Sequence, residues 1–230
     1  MSHAHGVRIA HLFPELLNLY GDSGNMLVLR RRLAWRGLGC SITEVHMGDR
    51  PSLADFDMVF IGGGTDREQR IVCERLLDQR AELASFIEDG GVLAAVCGGY
   101  QLLGHSYEMG GEKVEGLSLV DLETTRATPR LIGNVAVRSR ISPQPIVGYE
   151  NHGGRTHLGP GVEPLGEVVS GFGNDGKSGF EGCLYKNVVG TYVHGPRRPR
   201  CARASRRRSW RSPGRPSPNS TTRRSSPPIR

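Results

Sequence analysis

A cysteine between an apolar run and two glycines is the feature that most constrains the fold. The run from Val92 to Val96 ends at Cys97, Gly98 and Gly99 follow at once, and a helix-like stretch begins behind them. A strand, a tight turn and a helix in this order form the corner that raises a nucleophile above the edge of a parallel sheet. We expect the two glycines to supply the positive-φ backbone of this corner, and the helix N-terminus to lower the pKa of the thiol.

Apolar runs alternate with amphipathic stretches through the first half of the chain. The apolar runs predict buried strands at 7–12, 41–47, 57–61 and 91–96, and helical periodicity predicts helices at 24–36 and 66–88. Strands that alternate with helices in this way are typical of an α/β fold with a doubly wound, mostly parallel sheet.

The texture of the sequence changes after Tyr107. Gly-rich loops separate further apolar runs at 117–124, 131–137, 146–150 and 183–193, and helical patterns are few. We expect these runs to form antiparallel additions to the main sheet, within one domain that covers residues 1–196.

The basic charge of the chain is confined to its C-terminal segment. Of the 30 Lys and Arg residues, 12 are arginines in residues 196–230, which contain no Asp or Glu, so residues 1–195 keep 18 basic against 23 acidic residues, a net charge of −5. A mildly acidic body without a basic stripe argues against a nucleic-acid partner.

Residues 197–230 are rich in Arg, Pro and Ser and hold too few apolar residues to bury a core, which predicts disorder. An arm for nucleic acid or an anionic surface and a plain solvated extension are two interpretations of this tail. The third, which we favour, is translation out of frame in a GC-rich gene, because the composition changes abruptly just after His194.

Several classes of protein are excluded by what the sequence lacks. No apolar run approaches the roughly 20 residues that span a bilayer, and residues 1–6 are too polar for a secretory signal, so we expect a cytoplasmic protein without membrane insertion. Five scattered cysteines show no disulfide framework and no metal-ligand spacing. Since no glycine-rich stretch continues into a P-loop lysine, we expect no nucleotide or other cofactor.

A histidine ends the apolar run that begins at Val188. This residue, His194, would sit at the carboxyl end of a buried strand, where it could act as the base for the Cys97 thiol. His152 and His157 are rival bases, in a Gly-rich stretch at 150–157 that we expect to be a binding loop. A histidine on an apolar strand is otherwise most often a satisfied core residue.

Three glycines, 62–64, end the third predicted strand beside the cysteine corner. Glycine clusters often mark only a turn. At this position, however, backbone N–H groups of Gly63 and Gly98 could together form an oxyanion hole.

These features together resemble a class I glutamine amidotransferase domain: glycines at a strand end, a Cys-Gly-Gly-Tyr-Gln corner and a distant histidine on a strand. Three further stretches, 19–25, 62–69 and 150–156, resemble the cobyric-acid-synthase-like branch of that class. The resemblance covers about residues 7–196 and implies a flavodoxin-like α/β fold.

The resemblance also implies a reaction. Cys97 would attack the side-chain amide of L-glutamine, and His194 would protonate the departing ammonia. Within that branch, the chain most resembles glutaminase subunits that pass ammonia to a MurT-type, Mur-ligase-like partner in a heterodimer. The partner uses ATP to amidate the D-glutamate of the peptidoglycan precursor lipid II. By the same resemblance Arg130 would bind glutamine, with Gln101 in the same pocket, although Arg130 could equally be a surface residue at a strand start.

One position departs from the wider class. Many members place a glutamate two residues after the histidine, where this chain has Pro196. The cobyric-acid-synthase-like branch also lacks that acid, which implies a Cys–His dyad. A glutaminase domain that serves cobalamin-type amidation and a catalytically silent binding module are the alternative functions.

Overall fold

A computed structural model describes residues 6–19 and 21–195, and all structural statements concern these residues. They form four α-helices and twelve strands. In chain order the elements are β1 (Val7–Leu12), α1 (Asp22–Ala34), β2 (Cys40–Val45), β3 (Met58–Ile61), α2 (Asp66–Leu77), α3 (Arg80–Glu88), β4 (Val92–Val96), α4 (Gly98–Leu102), β5 (Ser106–Met109), β6 (Glu112–Glu115), β7 (Leu122–Ser139), β8 (Ile146–Leu158), β9 (Gly166–Ser170), β10 (Phe180–Glu181), β11 (Cys183–Tyr185) and β12 (Val188–Thr191).

The main sheet has six strands in the order β11-β12-β4-β3-β1-β2. All neighbours in it are parallel except β11, which pairs antiparallel with β12 at one edge. Its central strands are apolar on both faces, and Ile9, Val59, Ile61, Leu93 and Ala95 are fully buried. The predicted α/β fold with a mostly parallel sheet is therefore confirmed.

Most of the later strands form a second sheet. Its order is β10-β9-β7-β5-β6, and β8 pairs with β7 along most of its length. Antiparallel strands were expected here, but as additions to the main sheet, and only β11 is one. The two sheets meet where Tyr149 of β8 pairs antiparallel with His194, just beyond β12.

The single helix predicted over 66–88 is divided into α2 and α3 at Asp78 and Gln79. The apolar period could not reveal this break, because Leu76 and Leu83 are seven residues apart, which is two helical turns. Both side chains are fully buried, so the apolar stripe keeps its phase across the break. The start of α2 is fixed by a capping box between Thr65 and Glu68.

A groove of about 150 Å³ lies between α1 and the main sheet. Its lining is mostly apolar and includes Met26 and Leu29 of α1 and Met58, Phe60, Val96 and Val193 of the sheet side. Gly195, where the description of the chain ends, also borders it. The tail predicted at 197–230 lies outside the described residues.

Within the described ranges, no helix combines the length and the apolarity that crossing a bilayer requires.

Candidate active site

Cys97 occupies a strained corner between β4 and α4. Its backbone has φ 51° and ψ −107°, a conformation that side-chain-bearing residues rarely adopt. The positive φ therefore lies at the cysteine itself, and the expectation that Gly98 and Gly99 would supply it is wrong. The cysteine N–H donates to the Thr191 carbonyl oxygen at 2.9 Å, which fixes the corner against β12.

The two glycines after Cys97 are needed for close approach. A Cβ on Gly99 would lie 2.7 Å from the Gly62 carbonyl oxygen and 2.8 Å from the Ile61 side chain. The Gly99 N–H instead donates to that Gly62 oxygen at 3.1 Å. The start of α4 thus rests directly on the glycine loop, residues 62–64, that follows β3.

His194 and Cys97 follow two adjacent parallel strands. Thr191, the last residue of β12, is in register with Val96, the last residue of β4. A point one Cβ bond out from Gly63 is 3.1 Å from the Cys97 Cβ and 3.6 Å from the His194 Cε1. The structure therefore brings the predicted nucleophile and base together over the middle glycine of the loop.

Burial keeps both side chains uncharged near neutral pH. Cys97 is 9% exposed, and its burial raises the pKa of the thiol to about 12, although the Gly98 N–H and Arg130 favour the thiolate. Burial, with a smaller effect of His152, lowers the pKa of His194 to about 4. A lowered thiol pKa was predicted from the helix N-terminus, but α4 has only five residues and desolvation outweighs it.

The rival histidines occupy different settings. His152 is buried, its ring stacks on Tyr192 with centroids 3.6 Å apart, and its Nδ1 lies 2.9 Å from the Gly154 carbonyl oxygen. His157 is exposed on β8. The stretch 150–157, which was expected to be a loop, is part of β8. Its Gly154 avoids a collision between a Cβ and the side chains of Gln101 and Tyr192.

A small pocket opens beside Cys97. Its polar lining includes Gly64, Gln69, Gln101, Arg130, Asn151 and His152. Arg130 lies within β7, and its Nε and Nη2 donate to the side-chain and backbone oxygens of Asn151, both at 3.0 Å. Both predicted substrate-binding residues, Arg130 and Gln101, therefore border the same pocket as the cysteine.

A chain of hydrogen bonds orients Gln101. Its Oε1 accepts from Gln69 Nε2 and its Nε2 donates to the Tyr192 hydroxyl, each at 3.0 Å. That hydroxyl also lies 2.7 Å from Thr156 Oγ1. The pocket wall is thus braced from α2, α4, β8 and the residue after β12.

The glycine loop offers a different donor from the one predicted. Gly63 N–H is already bonded to the buried Asp22 carboxylate, with 2.9 Å between N and Oδ2, so it is not available to a second acceptor while that bond holds. Gly64 N lies on the side of Gly98, 3.3 Å from where a Cβ on Gly98 would be. No acceptor for the Gly64 N–H is found within the described part of the chain.

Comparison with known proteins shows the family to which the chain belongs. A family model described as the CobB/CobQ-like glutamine amidotransferase domain matches residues 8–201. The chain belongs to this glutamine amidotransferase family. It is 40% identical over 193 residues to subunit GatD of the glutamine-hydrolysing lipid II isoglutaminyl synthase of Staphylococcus aureus, which covers 84% of this chain and 78% of the relative. The same subunit of Streptococcus pneumoniae is 39% identical over 192 residues, covering 83% and 74%.

Solved structures show the same fold at lower identity. The amidotransferase superposes with a TM-score of 0.58 on a chain of PurLQS from Thermotoga maritima, at 16% identity, covering 83% of this chain and 88% of the other.

Sequence reasoning missed three residues of the amidotransferase site. Asp22 lies in the stretch 19–25 that was used for the family resemblance, but nothing local showed that its carboxylate reaches Gly63. Gln69 and Tyr192 were also missed, although Gln69 lies in the 62–69 stretch and Tyr192 is two residues before His194. Over the ranges that the structure describes, no three His, Cys, Asp or Glu side chains cluster as metal ligands would.

Proposed function

We propose that this amidotransferase is a glutaminase subunit with a Cys97–His194 dyad, and that it supplies ammonia for amidation of the D-glutamate of lipid II. The observation that carries the proposal is the placement of the cysteine and histidine on two adjacent strands, over one glycine, beside a pocket that also contains Arg130. The similarity to GatD subunits supports the identity of the final acceptor.

Thiol and imidazole are both neutral near pH 7, so the thiol proton moves to His194 as the sulfur attacks the side-chain carbonyl carbon of glutamine. The carbonyl π bond breaks, and its oxygen becomes an oxyanion. When the tetrahedral intermediate collapses, the C–N bond breaks and the imidazolium gives its proton to the departing ammonia. His194 then takes a proton from water, which attacks the thioester and releases glutamate and the thiol.

Two backbone donors support the oxyanion. Gly98 N–H already points at the cysteine sulfur, since it favours the thiolate form. We assign the second donor to Gly64 rather than Gly63, because Gly63 N–H is held by Asp22. Preorganised N–H groups of this kind stabilise charge that develops only in the transition state.

Arg130 is the residue that we assign to the α-carboxylate of glutamine. It borders the pocket and lies close enough to Cys97 for its charge to favour the thiolate. The guanidinium is held by Asn151 through two hydrogen bonds, which presets its direction before substrate arrives. Gln101, fixed between Gln69 and Tyr192, forms the neighbouring wall.

The partner in this proposal is a MurT-type ligase that forms a heterodimer with the amidotransferase and uses the ammonia with ATP. Position 196 is proline, so the chain carries no acid two residues after His194. The dyad is then expected to turn over slowly until the partner subunit aligns it. A reaction that consumes ATP and builds a cell-wall precursor places the pair in the cytoplasm.

Glutamate release from L-glutamine, measured with and without a co-expressed Mur-ligase-like subunit, tests the proposal. We expect hydrolysis that increases with the ligase and is abolished in Cys97→Ala, while Cys40→Ser, at the partly exposed start of β2, keeps full activity. Activation by a corrinoid synthetase instead would favour cobalamin-type amidation. Absence of hydrolysis and of Cys97 labelling by a glutamine-analogue electrophile would favour a silent binding module.

A further inference from the structure

Asp22 carries a carboxylate that is buried at the start of α1. The residue is 1% exposed at the N-terminus of α1, and no Lys, Arg or His side chain of the described residues forms an ion pair with it. Burial raises the pKa of this carboxyl to about 6. A buried charge without an ion-pair partner lowers the stability of the folded state. The contacts of the carboxylate therefore indicate the role that it fills.

Among the residues that the structure describes, the carboxylate has two hydrogen-bond partners, and one belongs to the glycine loop. Its Oδ2 accepts the Gly63 N–H at 2.9 Å, and its Oδ1 lies 3.4 Å from the Asn25 side-chain nitrogen. The approach is close, because a Cβ on Gly62 would lie 3.0 Å from the same Oδ2.

The peptide unit between Gly62 and Gly63 is fixed at both ends. Its carbonyl oxygen accepts the Gly99 N–H at 3.1 Å, and its N–H donates to Asp22 on the opposite side. The unit therefore links α4, which follows the nucleophile, to the first residue of α1.

The next peptide unit, between Gly63 and Gly64, has one fixed end. Its carbonyl oxygen accepts the Leu19 N–H at 3.0 Å. The bond is trans, so the Gly64 N–H points away from Leu19 and toward the side of Gly98. Three of the four polar groups in these two units have fixed partners, and the fourth is the donor assigned to the oxyanion.

We propose that Asp22 is a positioning residue, which sets the direction of the Gly64 N–H by holding the neighbouring Gly63 N–H. The assignment rests on the proposed thiol chemistry at Cys97. The acceptor oxygen is what matters, and the negative charge is incidental to the role. Without the Asp22 oxygen as acceptor, the peptide unit between Gly62 and Gly63 can rotate. The Gly64 N–H then no longer points at the oxygen of the reacting carbonyl.

A pair of uncharged variants isolates the acceptor. Asp22→Asn keeps an oxygen that can accept from Gly63 N–H, whereas Asp22→Ala does not, and both remove the charge that raises the thiol pKa. Two reagents separate the oxyanion site from the thiol itself. Acylation of Cys97 by p-nitrophenyl acetate passes through an oxyanion, and alkylation by iodoacetamide does not. Rates for the full-length chain are corrected with the Cys97→Ala variant.

We expect acylation to be about tenfold slower in Asp22→Ala than in Asp22→Asn, at equal alkylation rates and with KM for glutamine changed less than twofold. Equal acylation in the two variants, or a loss that appears equally in alkylation, would overturn the inference. A misfolded variant is recognised by its changed alkylation rate, because the proposal requires equal alkylation in Asp22→Ala and Asp22→Asn. If the wild-type chain hydrolyses no glutamine even with the Mur-ligase-like subunit present, the proposed function fails, while the ratio of acylation to alkylation still decides the role of Asp22.

Discussion

The proposed nucleophile and base, Cys97 and His194, are both uncharged near neutral pH in the free protein. Cys97 and His194 both have pKa values shifted by burial toward their neutral forms, the thiol upward and the imidazole downward. The free enzyme therefore does not hold a preformed thiolate–imidazolium pair. In the proposed mechanism, this neutral pair transfers its proton only when the oxyanion site can accept the developing charge.

The reactivity of Cys97 toward alkylation should follow this high pKa. We expect the iodoacetamide rate to rise about tenfold per pH unit up to at least about pH 10, because the thiolate fraction grows in this proportion below the pKa. Mass spectrometry of the Cys97 peptide gives the rate at each pH. A plateau near neutral pH would show that the thiolate is already formed, against the pKa of about 12.

Asp22 should make folding stability depend on pH. Its pKa rises from 3.8 to about 6 on burial, so the folded chain holds this proton more tightly than the unfolded chain. That contribution to stability is fully present below pH 3.8 and is lost as the pH rises through about 6. Asp22→Asn does not titrate and should be more stable than wild type at about pH 7.5, by on the order of 2 kcal/mol.

Urea unfolding of the wild-type protein and Asp22→Asn at about pH 7.5 and about pH 4 measures the difference in free energy of unfolding. The difference should vanish at about pH 4. Asp78→Asn, on the exposed break between α2 and α3, is the matched control and should change stability little at either pH. An equal gain for Asp22→Asn at both pH values would contradict the shifted pKa.

Single residues were predictable where the signal was local. The apolar run followed by two glycines was enough to place Cys97 at a strand-to-helix corner, and the later run placed His194 at a strand end. Asp22 could not be connected to Gly63 in this way, because the two are 41 residues apart and meet only through the packing of α1 on the sheet. The thiol pKa was mispredicted since burial depth is not written in local sequence.

At the scale of elements, β8 places Gly153 and Gly154 in the wall of the pocket, and of these two only Gly153 has space for an added Cβ. A Cβ on Gly154 would collide with the side chains of Gln101 and Tyr192, whereas on Gly153 it would lie 3.5 Å from the nearest atom of Arg130, an ordinary contact. Neither glycine has a positive φ. The same substitution, glycine to alanine, at these two positions therefore tests the effect of steric crowding alone.

We expect Gly154→Ala to destabilise the fold by about 1–3 kcal/mol and to raise KM for glutamine, because Gln101 must move. Gly153→Ala should stay close to wild type in both measurements. Urea unfolding and glutaminase kinetics on the two variants provide the check. Equal effects at the two positions would mean that Gln101 does not shape the pocket.

Elements were predicted well where one period ran without interruption and less well where tertiary contacts decided. Strands β1 to β4 of the main sheet follow their apolar runs, whereas the single run predicted over 183–193 is divided between the antiparallel strands β11 and β12. The division between α2 and α3 left no mark in the period, because Leu76 and Leu83 keep the same phase. The stretch 150–157 was predicted to be a loop because it is rich in glycine. Gly154 is needed there because the side chains of Gln101 and Tyr192 leave no space for a Cβ.

At the scale of the whole molecule, the arrangement of strands into two sheets was beyond the sequence pattern. The apolar runs indicated parts of β7, β8, β11 and β12, but they revealed neither β5, β6, β9 and β10 nor the partners of any of these strands. Pairing between β7 and β8 depends on registers such as Leu122 with Leu158, which join residues far apart in the chain. Sequence alone offers no local signal for such a choice.

The apolar groove between α1 and the main sheet is open in the described chain. Residues 196–230 contain only two large apolar side chains, Trp210 and Ile229, which supports the prediction that this segment is out of frame. Replacing it with the segment that follows the corresponding histidine in the Staphylococcus aureus relative should raise Tm by several degrees, since each buried large side chain contributes about 1.5–3 kcal/mol.

A chain that ends at residue 195 is the control, and its Tm should match that of the full-length protein. Thermal melts followed by circular dichroism, together with binding of a hydrophobic dye to the groove, compare the three proteins. An unchanged Tm and unchanged dye binding in the chimera would contradict the prediction. Sequencing the locus in all frames is an independent check.

His194 is bonded to the second sheet through its own backbone. Its N–H donates to the Tyr149 carbonyl oxygen at 2.7 Å, and its carbonyl oxygen accepts the Tyr149 N–H at 3.0 Å. The Cys97 N–H, in contrast, donates to Thr191 of the main sheet. The distance between the Cys97 sulfur and the His194 imidazole therefore depends on how firmly β8 is held beside the end of β12. We expect a substitution that weakens the contact between Tyr149 and His194 to lower the activity even where it lies far from the pocket residues. Faster amide hydrogen exchange at His194 would be the first sign of the weakened contact.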